Sequence, residues 1–284
     1  MLFRDTRDYQ ILFLSTFLVL GLSTRDWTLR LDLIWVTLLV CLFTQAFLSL
    51  WTNLAKAQLE GSWQTFLSIP SWRSALITAL GLCLLLRANQ PTTMAIAASL
   101  AIASKFLFRL HGKHFFNPAN FGIIAALTLT QDAWVSPGQW GTDGWYLLGF
   151  AGAAGIVLKR VGRWDTSVTF LVTYAGLESL RNAWLGWSWD VLQHQLMSGS
   201  LLLFALFMIT DPRSIPNASV ARIVWSVSIA FLAFIIQQKL YLTTAIFWAL
   251  FILSPLTILL DFIWLSPRFS WQIQQAILVE SREI

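Results

Sequence analysis

The sequence predicts an all-α polytopic membrane protein with about ten transmembrane helices, arranged as a five-plus-five inverted repeat. Three observations predict it. Of 284 residues, 57% are hydrophobic and only 12% charged, about half the charged share of a soluble domain, and the mean hydropathy is +0.66. Ten apolar runs can be drawn, at about 9–24, 32–51, 74–88, 91–108, 117–131, 144–158, 167–187, 198–210, 221–237 and 240–265. Two of these, the third and the eighth, are short and carry small residues. One is Ser74 to Leu86, fenced by Arg73 and Arg87 and followed by Pro91; the other is Ser198 to Thr210, stopped by Asp211-Pro212. At ~1.5 Å per residue such runs fall short of a ~30 Å hydrocarbon core. Short, interrupted segments at matching places in two halves point to a site at the repeat interface.

Taken in order, the elements support that frame. Arg4, Asp5, Arg7 and Asp8 precede the first apolar run without a cleavage pattern, so no signal peptide is expected. Continuous apolarity without alternation argues helix over barrel strand. With ten spans and a cytoplasmic N-terminus, 14 of the 19 basic residues fall on the cytoplasmic side, which is the orientation the positive-inside rule selects. The expected location is therefore a plasma membrane or equivalent inner membrane, multi-pass, with both termini cytoplasmic. An odd number of spans per half makes the second half enter upside down. The domain reading is one integral membrane unit over 1–284, with pseudo-repeats at roughly 1–135 and 143–265 and a charged tail at 267–284. The polar, aromatic stretch 52–73 reads as an interfacial helix. Sixteen tryptophans suit the membrane–water boundary. Cys41 and Cys83 lie inside apolar runs and read as inert thiols.

Few stretches carry chemistry. In His111 to Gly122, Asn117 stands at a helix cap and Pro118 at the first helical position. This is either a well-capped helix start or a grip in which Asn117, Asn120 and free helix N–H groups hold an anion or polar ring. His111 and His114 have no third ligand nearby in sequence, so no metal is expected. Glu178, Arg181 and Asn182 share one helical face and read as an intramembrane polar group, either a structural ion pair of Glu178 and Arg181 near the outer interface or part of a pathway or ligand site. Gln45 and Asp261 read as isolated packing or interfacial residues, and Gly149, Gly152 and Gly155 as a packing face. Dinucleotide and phosphate-loop patterns and a catalytic triad are absent, so no catalytic residue is assigned, and nucleic acid is not an expected partner.

Ser74-Ala75-Leu76-Ile77-Thr78-Ala79-Leu80-Gly81-Leu82 with Pro91, Phe116-Asn117-Pro118-Ala119, Arg7-Asp8-Tyr9-Gln10 and Thr210-Asp211-Pro212 together resemble the RnfD/NqrB family. Its members are membrane subunits of ion-translocating, flavin-containing electron-transport complexes. The resemblance implies a ten-helix inverted repeat similar to urea transporters, a flavin (FMN or riboflavin) between the halves, and other membrane electron-transport subunits as partners beside the lipid bilayer. Longer members carry FMN esterified to the threonine of a Ser-Gly-Ala-Thr motif. Here the nearest string is Ser198-Gly199-Ser200-Leu201, with leucine where the acceptor would stand. Any flavin is therefore expected to be non-covalent, near Ser74, Thr78, Asn117, Asn120, Ser198 and Ser200. The competing reading is a stand-alone transporter or channel on the same scaffold, without redox activity.

Overall fold

The computed structural model describes residues 5–24, 30–60, 72–136 and 144–271. It is 77% helical. The first half contains α1 (Thr6–Thr24), α2 (Leu31–Glu60), α3 (Trp72–Leu85), α4 (Pro91–Leu107) and α5 (Pro118–Leu129). The second contains α6 (Gly144–Val161), α7 (Trp164–Leu185), a short α8 (Trp189–Leu196), α9 (Gly199–Leu203) running into a π-helical turn (Phe204–Met208), α10 (Ser219–Leu240), α11 (Ala245–Leu253) and α12 (Leu256–Ile263). A helix thus stands at each of the ten apolar runs. The last run is a pair, bent by 50° at Ser254-Pro255, where proline removes a helical donor.

Among the described residues, by length and composition two helical stretches, Leu31–Ala55 and Ser219–Leu240, can each cross a membrane alone, and the bent pair makes a third. The remaining apolar helices include shorter ones such as Trp72–Leu85 and Pro118–Leu129. The interfacial reading of 52–73 divides: α2 continues to Glu60, while 61–71 lies outside the described residues, as does 272–284 of the tail.

Small strands appear where the sequence reading had none. β1 (Leu86–Ala88) pairs antiparallel with β4 (Ala133–Val135), joining the end of α3 to the segment after α5. β2 (Arg109–Leu110) and β3 (Lys113–His114) form a hairpin between α4 and α5. Its two-residue turn has φ of 51° at His111 and 81° at Gly112, the double left-handed geometry of a type I′ turn.

The two halves pack in parallel ways. α2 lies against α4 as α7 lies against α10, and α4 against α5 as α10 against α11. α1 and α2 flank α3 as α6 and α7 flank the π turn, and the halves meet where α5 touches α11 and α1 touches α6. The α4–α5 crossing is close: a Cβ on Gly122 would stand 2.6 Å from the Ala97 carbonyl oxygen and 2.8 Å from the Ala101 Cβ.

One polar device occurs twice. Arg30 donates to the carbonyl of Asn89 at 2.9 Å, and the Asn89 N–H donates to Asp132 at 3.1 Å. Arg163 donates to the carbonyl of Asn217 at 3.4 Å, and the Asn217 N–H donates to Asp261 at 2.7 Å. In both, an arginine before a long helix and an aspartate beyond the closing helix fix the loop that starts α4 or α10. Asp261, expected to be isolated, is a member of this second cluster.

Candidate functional site

A cavity opens among α1, α3, the start of α5, the end of α6 and the π turn. α3 contributes Ser74, Ile77, Thr78, Gly81, Leu84 and Leu85, which follow its length for about 16 Å. Its mouth is polar, with Arg7, His114, Asp211 and Arg213; its inner end is apolar, with Leu14, Leu84, Leu85, Leu203 and Phe207. The space a water's centre can reach is about 100 Å³, room for several waters at ~10–15 Å³ each.

The π turn shapes one wall and leaves its carbonyls to side chains. Ser167 donates to the Ala205 carbonyl at 2.6 Å, Thr210 to Leu206 at 3.0 Å, and Asn117 Nδ2 to Met208 at 3.0 Å. Such turns are uncommon and concentrate at functional sites. Here three neutral donors from three segments hold the turn open without a buried charge.

Charge is concentrated at the mouth. His114 Nε2 lies 3.5 Å from Asp211 Oδ2. Burial lowers the His114 pKa, only partly offset by the hydrogen bond and charge of Asp211. For Asp211, burial alone would raise the pKa, but the hydrogen bond and charge of His114 and the N–H of Arg213 hold it below the usual carboxylate range. Arg213 donates onward to the Gly112 carbonyl of the hairpin turn. At the other rim, Arg7 pairs with Asp5 at 2.6 Å and its guanidinium lies 5.0 Å from the Trp271 ring centroid, while Arg73 pairs with Asp8 at 2.6 Å.

Of the residues expected to form a site, Ser74, Thr78 and Asn117 line this cavity. Asn117 also caps α5, accepting the Asn120 N–H at 3.0 Å, as the capping reading expects, and its Nδ2 is taken by the Met208 carbonyl. Asn120 points elsewhere: its Nδ2 donates to the Phe247 carbonyl at 3.1 Å, at the α5–α11 crossing, and its buried Oδ1 has no partner among the described residues. Ser198 and Ser200 bond each other at 2.9 Å and do not line the cavity. The eighth run contributes through its other end, from Leu203 to Asp211. In the sequence Asp211 marks a helix stop, Arg7 and Asp211 belong to the stretches that carry the family resemblance, and Arg213 is one basic residue among 19. Only the return of the hairpin and the π turn to one place reveals them as a cluster.

The residues do not form a flavin-sized hollow. Pockets for ligands of that size run to ~300–1,000 Å³, and the hydroxyls of Thr78 and Thr210 are spent on helix carbonyls. What the cavity can do is admit water and small ions past a charged mouth to an apolar end.

The Glu178 group differs from its expected pairing. Glu178 is 1% exposed and accepts from Gln238 of α10 at 3.1 Å. Arg181 instead lies over Trp187, 4.6 Å from the ring centroid, and Asn182 donates to the Trp187 and Ser188 carbonyls. Among the described residues no ion pair joins Glu178 to Arg181. The i, i+3 spacing puts them near each other, but each finds a partner off its own helix. No group of three or more metal-ligating side chains occurs among the described residues.

The sequence model of the NQR2, RnfD, RnfE family matches residues 133–269. The chain is also similar to a protein of Halorhodospira halophila (strain DSM 244 / SL1) that is named for its place in an ion-translocating oxidoreductase complex, 26% identical over 126 residues. That alignment covers 44% of this chain and 35% of the relative, so the match spans about a third of the relative's length. The matched region contains the π turn, Asp211 and the second polar cluster, and the RnfD/NqrB resemblance carried by Phe116-Asn117-Pro118-Ala119 and Thr210-Asp211-Pro212 is supported by a family match across the second half of the chain.

Proposed function

We propose that this protein is the membrane subunit of an RnfD/NqrB-like electron-transport complex, and that its part in the complex is the passage of an ion through the cavity between its halves. The observation that carries the reading is the cavity itself. It lies where the short α3 and the π-interrupted α9 segment face each other, with a charged mouth and an apolar end. Such broken, short helices serve transport sites at repeat interfaces. The similarity to a component of an ion-translocating oxidoreductase complex points to the same class of assembly.

The reading includes ten spans as a five-plus-five inverted repeat within one membrane unit. Its support is the matched packing of α1–α5 and α6–α12 and the recurrence of the Arg–Asn–Asp cluster. Both termini then face the cytoplasm, together with the β2–β3 hairpin. The residues of this chain orient water and ions: Ser74, with Thr78 and Asn117 whose donors are bonded within the fold, offers neutral acceptor oxygens along the wall, and the His114–Asp211 pair sets the charge at the mouth. No redox step is assigned to this chain.

Purification from native membranes under mild detergent tests the reading. The expected result is co-purification with further membrane subunits bearing flavin absorbance. A colourless homo-oligomer without such companions would favour a stand-alone transporter and overturn it.

A further inference from the structure

Lys105 stands in the last turn of α4 and is 4% exposed. Among the described residues it forms no ion pair. Its Nζ contacts oxygens only: the Ser74 carbonyl at 3.2 Å, the Ser74 hydroxyl at 3.1 Å and Gln45 Oε1 at 3.5 Å. Gln45 is itself fixed by its Nε2 donating to Ser49 at 3.1 Å. An ammonium buried without a carboxylate is costly and at membrane depth marks function by default. The C-terminal end of α4 favours a cation there. A carbonyl, a hydroxyl and an amide oxygen, all neutral, are the hard oxygen donors that an alkali cation also takes. Ser74 lines the cavity, so this oxygen set is one residue removed from the water-accessible space.

We infer that the Ser74–Gln45 oxygen set is a monovalent-cation site whose resident is the Lys105 ammonium, a tethered stand-in for an ion of sodium size. Loss of one proton from Lys105 to cavity water and arrival of one cation leaves the net charge unchanged, so the site exchanges a proton for a cation. The groups that act on Lys105 are Cys41 on α2, Arg109 just beyond α4, and Asp211 and Arg213 after the π turn, with His114 on β3 sensing it in turn. α3 presents only the neutral Ser74 to it. The physiological meaning of the exchange rests on the ion passage proposed above; the binding does not, and it is tested apart from any partner subunit.

The test is thermal unfolding of the purified protein in detergent at equal ionic strength of NaCl, KCl or choline chloride. A ligand bound only by the folded state raises the melting temperature with its concentration. At pH 7 the wild type should be indifferent to sodium, whereas Lys105→Ala, which frees the oxygens and the space, should gain a sodium-dependent rise of a few degrees. Lys105→Met, which fills the space without charge, should gain none, and Ser74→Ala added to Lys105→Ala should abolish the gain. A folded Lys105→Ala as indifferent to sodium as the wild type would overturn the inference. Should that variant fail to fold, the wild type at pH 10 decides: a neutral lysine amine, unlike a methionine thioether, can itself ligate sodium beside the Ser74 and Gln45 oxygens, so sodium stabilisation there supports the site, and indifference overturns it. Loss of the partner subunits in the purification above would leave this result unchanged.

Discussion

The two Arg–Asn–Asp clusters use the same residue types in the same roles, in different surroundings. In the first half, Arg30 and Asp32 pair at 2.5 Å with side chains 55% and 49% exposed, and Asp132 is held by the neutral donors Asn89, Gln90 and Thr93. In the second half, Asp165 takes the Arg222 guanidinium at 2.6 Å with side chains 13% and 6% exposed, and Ser219 at 2.6 Å. Asp261 there is bound by Lys113 at 2.5 Å, reaching across from the other half. The difference teaches where charge matters in this fold. Exposed pairs are screened and contribute little, whereas removing one partner of a buried pair leaves an uncompensated charge. The second cluster ties the halves together beside the cavity mouth; the first closes a loop in solvent.

The largest effect should come from Asp165→Ala. It strands Arg222, 5% exposed, and should lower stability by about 3–5 kcal/mol, read by thermal unfolding in detergent. Asp32→Ala, its counterpart, should leave the melting temperature within error, and comparable losses from the two would erase the contrast. Gly122→Ala comes next, because its Cβ meets the Ala97 carbonyl oxygen. Overpacking of that kind costs about 1–3 kcal/mol, while Gly152→Ala, with open space around it, should cost far less. Asn117→Ala should lose about 1–2 kcal/mol for the cap, and it also leaves the Met208 carbonyl of the π turn unpaired. Asn117→Asp, which keeps the capping oxygen, should recover part of that loss.

A smaller effect belongs to pH. The folded pKa of His114 lies below its ordinary value of 6.5. Below about that pH the unfolded chain takes up the proton first, so stability falls with acidification until the folded pKa is passed. Asp211, held below 3.8, adds a further loss at still lower pH. The melting temperature should decline from pH 7 to pH 5, and His114→Gln should flatten that limb.

Much of the fold was legible in the sequence because apolar runs between charges are long-range statements about solvent. A helix stands at each of the ten runs, most with ends within a few residues of those expected, although α2 continues to Glu60, well past residue 51. The hairpin at 109–114 was not read, since its strands are two residues long and its turn is His111-Gly112. Half of the site was legible too: small residues and hydroxyls on α3, and the Asn117 cap. Ser198 and Ser200 open the eighth run, whereas the cavity is lined by its other end. The π turn on that wall leaves no mark in the run Phe204-Ala205-Leu206-Phe207-Met208. Lys105 was counted as one more basic residue for orientation, because nothing in its neighbours along the chain shows that Ser74 and Gln45 surround it.

In the inverted repeat proposed above, the two clusters lie on opposite faces of the membrane. Single cysteines at Gln90 and Pro267, both exposed, test this directly in sealed vesicles of known orientation, since Cys41 and Cys83 are buried. A membrane-impermeant maleimide should label Gln90→Cys only from the non-cytoplasmic side and Pro267→Cys only from the cytoplasmic side. Labelling of both from the same side would contradict the inverted repeat and the passage proposed between its halves.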